Sequence, residues 1–151
     1  MIYKKRPLIF KPKFCASGCF LQIKENGQDK FLMFLRQDYK PQGNTWSVPA
    51  GKIEKGENAT QCILRELEEE TGLKFNKNDL KFHKQLDILY EFEKPCFQFE
   101  YNIFSIKLDS KPEIKIDLND HKKFKWVTPK EALKLRLIPD EEPCIKLVYR
   151  I

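Results

Sequence analysis

From Phe97 to Ile103 apolar and polar side chains alternate, with Phe97, Phe99, Tyr101 and Ile103 set against Gln98, Glu100 and Asn102. A period of two marks a strand with one face buried. The rest of the chain parses around this segment. Residues 14–24 read as a strand, and 31–35 is a short apolar run consistent with a buried one. Between them lies an Asn26-Gly27 pair, which is hairpin chemistry. Residues 37–45 contain Pro41 and Gly43 and read as a loop, and Trp46-Ser47-Val48 is a short strand leading into Pro49-Ala50-Gly51. Strands are predicted over 80–92 and 97–108, separated by Glu93-Lys94-Pro95, and over 123–127. Thr128 then caps a helix with Pro129 at its first position, running through Ala132 and Leu135, and a final helix covers about 141–150. Strands, helix, strands and helices in that order indicate an α+β domain. No repeat, low-complexity linker or internal boundary divides it, so residues 1–13 read as an N-terminal arm and 14–151 as one domain.

The remaining helix breaks the expected pattern. Asn58 is placed to cap its start and Gly72 to end it. Projected at about 100° per residue, Ala59, Ile63, Glu66 and Glu70 fall on one face. An ordinary amphipathic helix keeps such a stripe apolar; this one begins with Ala59 and Ile63 and ends in carboxylates. Like charges at i, i+4 repel, and inward-facing carboxylates are costly unless a cation compensates them. Oxygen-rich sites of this kind suit Mg²⁺ or Mn²⁺. A solvated acidic face is the plainer origin of most charge runs, but it does not account for where Gly51, Arg65 and Gly72 fall.

The stretch from Gly51 to Leu73, GKIEKGENATQCILRELEEETGL, resembles the Nudix box, G-x5-E-x7-R-E-U-x-E-E-x-G-U with U a bulky aliphatic residue. Gly51, Glu57, Arg65, Glu66, Leu67, Glu69, Glu70, Gly72 and Leu73 fill every specified position. The resemblance implies an α/β/α sandwich with a mixed central sheet. It also implies metal-dependent hydrolysis of a nucleoside diphosphate linked to a further group. On that resemblance Glu66, Glu69 and Glu70 are expected to ligate the metal, with Glu57 contributing in some members. Glu66 or a loop acid handles the water proton, and Arg65 orients a carboxylate. The run Trp46-x-x-Pro49-x-Gly51-Lys52-Ile53-Glu54-x-Gly56-Glu57 looks like MutT-type nucleotide pyrophosphohydrolases, with Ala50 where many members have glycine. Lys52 is then a candidate phosphate contact. Residues 118–127 resemble the segment before the penultimate helix in many members, which nominates Asp120 as the loop acid. Tyr90 sits at an offset from Leu73 similar to that of a base-stacking tyrosine in the family's dinucleoside-polyphosphate hydrolases. Arg36, at a strand end, is a further phosphate candidate, whereas His83 and His121 read as surface or packing residues.

Composition adjusts this picture only slightly. A chain of 151 residues with 41% hydrophobic and 13% aromatic content can bury one real core. The net charge of +6 suits an anionic partner but is equally a matter of lysine-rich composition. Five cysteines show no disulfide-framework spacing and no matching His or Cys pair for zinc, so reduced thiols and a cytoplasmic setting are expected. The basic start, broken by Pro7 and Pro12, reads as neither signal peptide nor membrane span. The expected partner is a nucleotide or another nucleoside-diphosphate-linked small molecule, with neither membrane nor a DNA-binding module, and a homodimer is compatible. MutT-like cleavage of a nucleoside triphosphate to monophosphate and pyrophosphate comes first among the expectations. Hydrolysis of diadenosine tetraphosphate comes second. A non-catalytic nucleotide-binding module ranks lower, because binders can lose carboxylates that are all present here. An isomerase is the last alternative, and it would need a catalytic cysteine such as Cys62 or Cys96 opposite a glutamate.

Overall fold

The alternating segment lies inside a seven-stranded mixed sheet in a computed structural model that describes residues 1–151. The strands are β1 (Pro12–Glu25), β2 (Gln28–Arg36), β3 (Trp46–Ser47), β4 (Ala50–Lys52), β5 (Lys81–Tyr90), β6 (Phe97–Lys107) and β7 (His121–Val127). The helices are α1 (Ala59–Thr71), α2 (Pro129–Ala132) and α3 (Glu141–Tyr149). The sheet runs β3-β2-β1-β6-β5, with β4 added on β1 and β7 on β2. The β1–β6 pair is parallel and the other pairs are antiparallel.

Alternation along the strands divides the core into two layers. Cys19 and Leu21 on β1, with Leu32 and Phe34 on β2, pack against Ile63 and Leu67 of α1. Their neighbours Phe20, Phe31 and Met33 point the other way, against Ala132, Cys144 and Ile145 near and within α3. Successive side chains of a strand face opposite sides, so helices cover both faces and the domain is an α/β/α sandwich.

Local chemistry sets the ends of α1. Asn58 Oδ1 accepts the Gln61 N–H at 2.8 Å while Gln61 Oε1 accepts the Asn58 N–H at 2.9 Å, a reciprocal cap. Gly72 adopts φ 77°, a left-handed turn that glycine takes without strain, and its N–H reaches the Glu68 carbonyl. Ser17 Oγ donates to the Ala59 carbonyl at 2.9 Å, tying the helix start to β1.

Five features depart from the sequence expectations. β1 begins at Pro12, inside the segment read as an arm, and β4 is a three-residue strand too short to leave a pattern. A single 3₁₀ turn covers Lys77–Asp79, and β5 stops at Tyr90. α2 is one turn long. After it, hydrogen bonds tighten to i→i−3 at Lys134 and Leu135, and the chain is drawn into pairing with Trp46 through Arg136 and Ile138. At the other end, Ile2 bridges to Ile88 and Arg6 pairs with Asp87 and Glu100, laying the first residues along β5. No helix is long and apolar enough to cross a membrane.

α3 is fastened to the sheet by Glu141, whose Oε1 accepts the Val48 N–H at 2.8 Å. Burial pushes this carboxyl up to about 7, with the Val48 bond opposing. A carboxyl raised in the folded state contributes stability that is full below its ordinary value near 4.5 and is lost as pH rises through about 7. Between those limits Glu141→Gln is expected to gain about 3 kcal/mol relative to wild type, read from urea unfolding at both ends of the window. A difference that stays constant with pH contradicts the assignment. Asn58→Ala is expected to cost about 1 kcal/mol through loss of the cap, lowering Tm by about 3 °C. An unchanged Tm would show that the cap is not holding α1.

Candidate active site

The site is assembled around one guanidinium. Arg65 Nε and Nη2 donate to the two oxygens of Glu57 at 2.8 and 3.0 Å, a two-point pair. Nη1 donates to Glu66 at 2.8 Å and Glu69 at 3.2 Å, and Nη2 also reaches the Lys52 carbonyl at 3.0 Å. Arg65 therefore ties the loop before α1, the end of β4 and the helix itself into one unit. Its hydrogen bonds hold the Glu57 carboxyl down at about 2.

Glu66 lies against the backbone of Gly51. A Cβ at position 51 would fall 2.1 Å from the Glu66 carboxyl carbon, so this approach requires glycine. Burial, with a smaller contribution from the neighbouring carboxyl of Glu70, pushes Glu66 up to about 7, against the pull of Arg65. Glu70 is buried, with Oε2 accepting the Ala50 N–H at 3.1 Å and Oε1 lying 3.3 Å from His121 Nε2. Burial raises Glu70 well above the usual carboxylate range and lowers His121 to about 4. Charge is thus disfavoured on both groups, and their contact is a neutral hydrogen bond rather than an ion pair. Glu69 points outward, its side chain 57% exposed.

No three ligand-type side chains converge on a single point in this arrangement, because Arg65 draws Glu57, Glu66 and Glu69 towards itself. The donor set is nonetheless all carboxylate. Two of its members, Glu66 and Glu70, are raised by burial, Glu66 in spite of its bond to Arg65 and Glu70 with no side-chain cation bonded to it. An uncompensated oxygen site of this kind fits a hard divalent ion.

A cleft of about 470 Å³ leads away from Gly51, Glu70 and His121. Phe14, Tyr90, Phe97 and Phe99 give it an aromatic lining, and Arg36 and Lys52 also line it. Lys52 Nζ sits 4.5 Å from the Phe14 ring centre and Arg36 Nε donates to the Pro41 carbonyl. Tyr90 both packs and lines the cleft: its ring meets Phe99 edge-on at 4.8 Å, and its hydroxyl donates to the Pro139 carbonyl at 3.3 Å.

The structure brings Arg36, Lys52, Glu70 and Tyr90 to one cleft and groups Glu57, Glu66 and Glu69 around Arg65 beside it. Asp120 is placed differently. It pairs with Lys40 at 2.9 Å and does not line the cleft. Its neighbour His121, expected at the surface or in packing, is buried, stacked on Phe34 at 4.6 Å and turned towards Glu70. His83 bonds to Ser105 Oγ outside the cleft. Cys62 and Cys96 do not line it either, which leaves the isomerase alternative without a cysteine in place. Sequence reasoning missed Glu141, a buried acid on the cleft wall. Beside Glu142 in the first turn of the last helix, it is indistinguishable by sequence from an acid placed to suit the helix dipole.

Comparison with known proteins places this geometry. A family model described as the NUDIX domain matches residues 16–148. An octanoyltransferase from Myxococcus xanthus is 31% identical over 113 residues, covering 74% of this chain but 30% of that protein. The likeness therefore concerns one segment of a longer chain. The asymmetrical bis(5'-nucleosyl)-tetraphosphatase of Caenorhabditis elegans is 25% identical over 120 residues, covering 80% of this chain and 83% of the relative. The NUDIX domain of Shewanella oneidensis NrtR, solved as a cocrystal with ADP ribose, superposes with a TM-score of 0.77 at 18% identity. That match covers 97% of this chain and 93% of the other and establishes a shared fold. With the box residues gathered around Arg65 and the family model spanning nearly the whole domain, the chain belongs to the Nudix family, whose relatives are hydrolases of phosphoanhydride bonds.

Proposed function

We propose that this protein is a metal-dependent nucleotide pyrophosphohydrolase that cleaves a nucleoside triphosphate to its monophosphate and pyrophosphate. The observation that carries the reading is one cleft lined both by the buried Glu70 carboxyl and by aromatic rings. Arg36 and Lys52 also line that cleft and suit a phosphate chain. The aromatic wall suits a flat base.

Glu57, Glu66, Glu69 and Glu70 would hold Mg²⁺ or Mn²⁺. When bound, the ion neutralises phosphate oxygens and makes water a better nucleophile near neutral pH. Arg65, paired at two points with Glu57 and bonded to Glu66 and Glu69, acts as a positioning residue for these carboxylates. Gly51 lets Glu66 lie against the backbone. Glu66 is the carboxylate we assign to accept the proton of the attacking water. The complete set of box carboxylates favours catalysis over a purely binding role. A second reading, hydrolysis of a dinucleoside polyphosphate, draws support from Tyr90 and the exposed Phe92, whose rings lie 4.7 Å apart and offer a further stacking surface. The tetraphosphatase relative supports it as well.

Mass-spectrometric identification of products from a nucleotide panel with Mg²⁺ or Mn²⁺ separates the two readings. Monophosphate plus pyrophosphate from a triphosphate supports the first, and ATP plus AMP from diadenosine tetraphosphate supports the second. Metal-dependent products from neither would count against both. Glu69→Gln is expected to lower turnover on the order of 100-fold or more while Tm stays within about 2 °C, since Glu69 is exposed and leaves the core intact. Wild-type turnover in this variant would sink the proposed metal site. Tyr90→Ala is expected to raise KM about tenfold for a dinucleotide selectively. An equal rise for every substrate, or loss of the fold, would return Tyr90 to a packing role.

A further inference from the structure

Residues 4–13 carry five cations and no acid, the first acidic residue of the chain being Glu25. Within this basic run stands the pair Leu8-Ile9. Leu8 is 107% exposed and Ile9 74%, so neither packs on the domain. A single exposed aliphatic residue is ordinary. An adjacent pair held clear of the surface by a fastened loop is not.

The loop is fastened on both sides of that pair. Arg6 Nε and Nη2 donate to the two oxygens of Asp87 at 3.0 and 2.9 Å, and Nη2 also reaches Glu100 at 2.8 Å. The same guanidinium lies 4.6 Å from the centre of the Phe10 ring, which meets Tyr3 edge-on at 6.2 Å. Beyond Phe10, the Lys11 N–H donates to Gln98 Oε1 at 2.9 Å, and Gln98 Nε2 donates to the Tyr3 hydroxyl at 3.0 Å. Phe10 is thereby drawn inward while the two residues before it stay outside, and Pro7 stiffens the approach to them.

Charge surrounds this apex. Arg6 is compensated by Asp87 and Glu100, whereas Lys4, Lys5, Lys11 and Lys13 are exposed and pair with no carboxylate. Two surfaces would match an apolar tip flanked by free cations: an acidic protein and an anionic bilayer. A specific protein contact buries about 800 Å² on each partner, far more than two side chains on a protruding tip supply. A bilayer asks for no complementary shape, because aliphatic side chains enter its acyl boundary while lysines meet its phosphate headgroups. We propose that Leu8 and Ile9 insert into the surface of an anionic bilayer and that Lys4, Lys5, Lys11 and Lys13 hold its headgroups, attaching the protein reversibly. Such a contact needs no spanning helix. It departs from the sequence expectation of no membrane partner, which weighed only a signal peptide and a membrane span.

The inference stands apart from the nucleotide reading, since none of the four residues changed in its test belongs to the site. The full chain is sedimented with vesicles of phosphatidylcholine alone and of phosphatidylcholine with phosphatidylserine in a ratio of about two to one. Wild type is expected to favour the anionic vesicles by on the order of tenfold or more, and to release them as salt rises. Leu8→Ser/Ile9→Ser lowers binding at least about tenfold through loss of the buried aliphatic surface. Lys5→Gln/Lys11→Gln lowers it on the order of tenfold for the anionic vesicles and leaves phosphatidylcholine unaffected. Thermal melts within about 2 °C of wild type show that both variants are folded, as expected for exposed positions. Unaltered nucleotide turnover in both variants separates a lost attachment from a damaged enzyme. Failure of wild type to bind anionic vesicles, or binding that neither variant weakens, overturns the inference. Capture of wild type by poly-glutamate but by neither vesicle also overturns it, in favour of an acidic protein partner.

Discussion

The guanidinium of Arg65 lies among four carboxylates, those of Glu54, Glu57, Glu66 and Glu69, and much of the site depends on that pairing. Like charges on adjacent helical turns repel, and partial burial deepens the penalty because solvent no longer screens them. One cation cannot compensate four anions. Glu57 receives the two-point pair and is held well ionised, while Glu66 shares what remains and is lifted to about 7 by burial. Glu70, beyond the reach of Arg65, rests on a backbone N–H and a neutral histidine. The arrangement is a negative site under-supplied with positive charge, which is the condition for taking up a divalent ion.

The sheet turns this local imbalance into a functional cleft. One face carries α1 and, through Ile63 and Leu67, fixes its height above the strands. The other carries α3, whose buried Glu141 contributes to the cleft wall. β4 runs between them: Ala50 donates to Glu70, Gly51 accommodates Glu66, and Lys52 offers its carbonyl to Arg65 and its ammonium to the cleft. Three consecutive residues thereby connect acid cluster and cleft. Packing that seats α1 and α3 also spaces the chemistry, so stability and function share the same contacts.

The legible parts of this molecule were those encoded by local periodicity. Alternation at Phe97–Ile103 foretold a strand, and the Asn58 and Gly72 ends of α1 were readable because caps are local chemistry. The acidic stripe was readable as well, since a carboxylate where an aliphatic residue belongs conflicts with burial. What stayed hidden was set by distant pairing. β4 exists because Ala16 to Gly18 of β1 accept it as a partner, and α2 is cut short by pairing with Trp46. Asp120 and His121 are adjacent on the chain, yet Lys40 draws one towards solvent while Phe34 and Glu70 hold the other inside. Glu141 looked like any acid in a first helical turn, because its significance lies in Val48, far away in sequence.

A divalent ion taken up by the α1 carboxylates would replace part of their bond to Arg65. Titration of the metal-free protein with Mn²⁺, following the electron paramagnetic resonance signal of the free ion, reads this without any substrate. Saturable uptake by wild type, weakened at least about tenfold in Glu66→Gln, is the predicted result. Uptake by Glu66→Gln indistinguishable from wild type, or none by wild type itself, would contradict it.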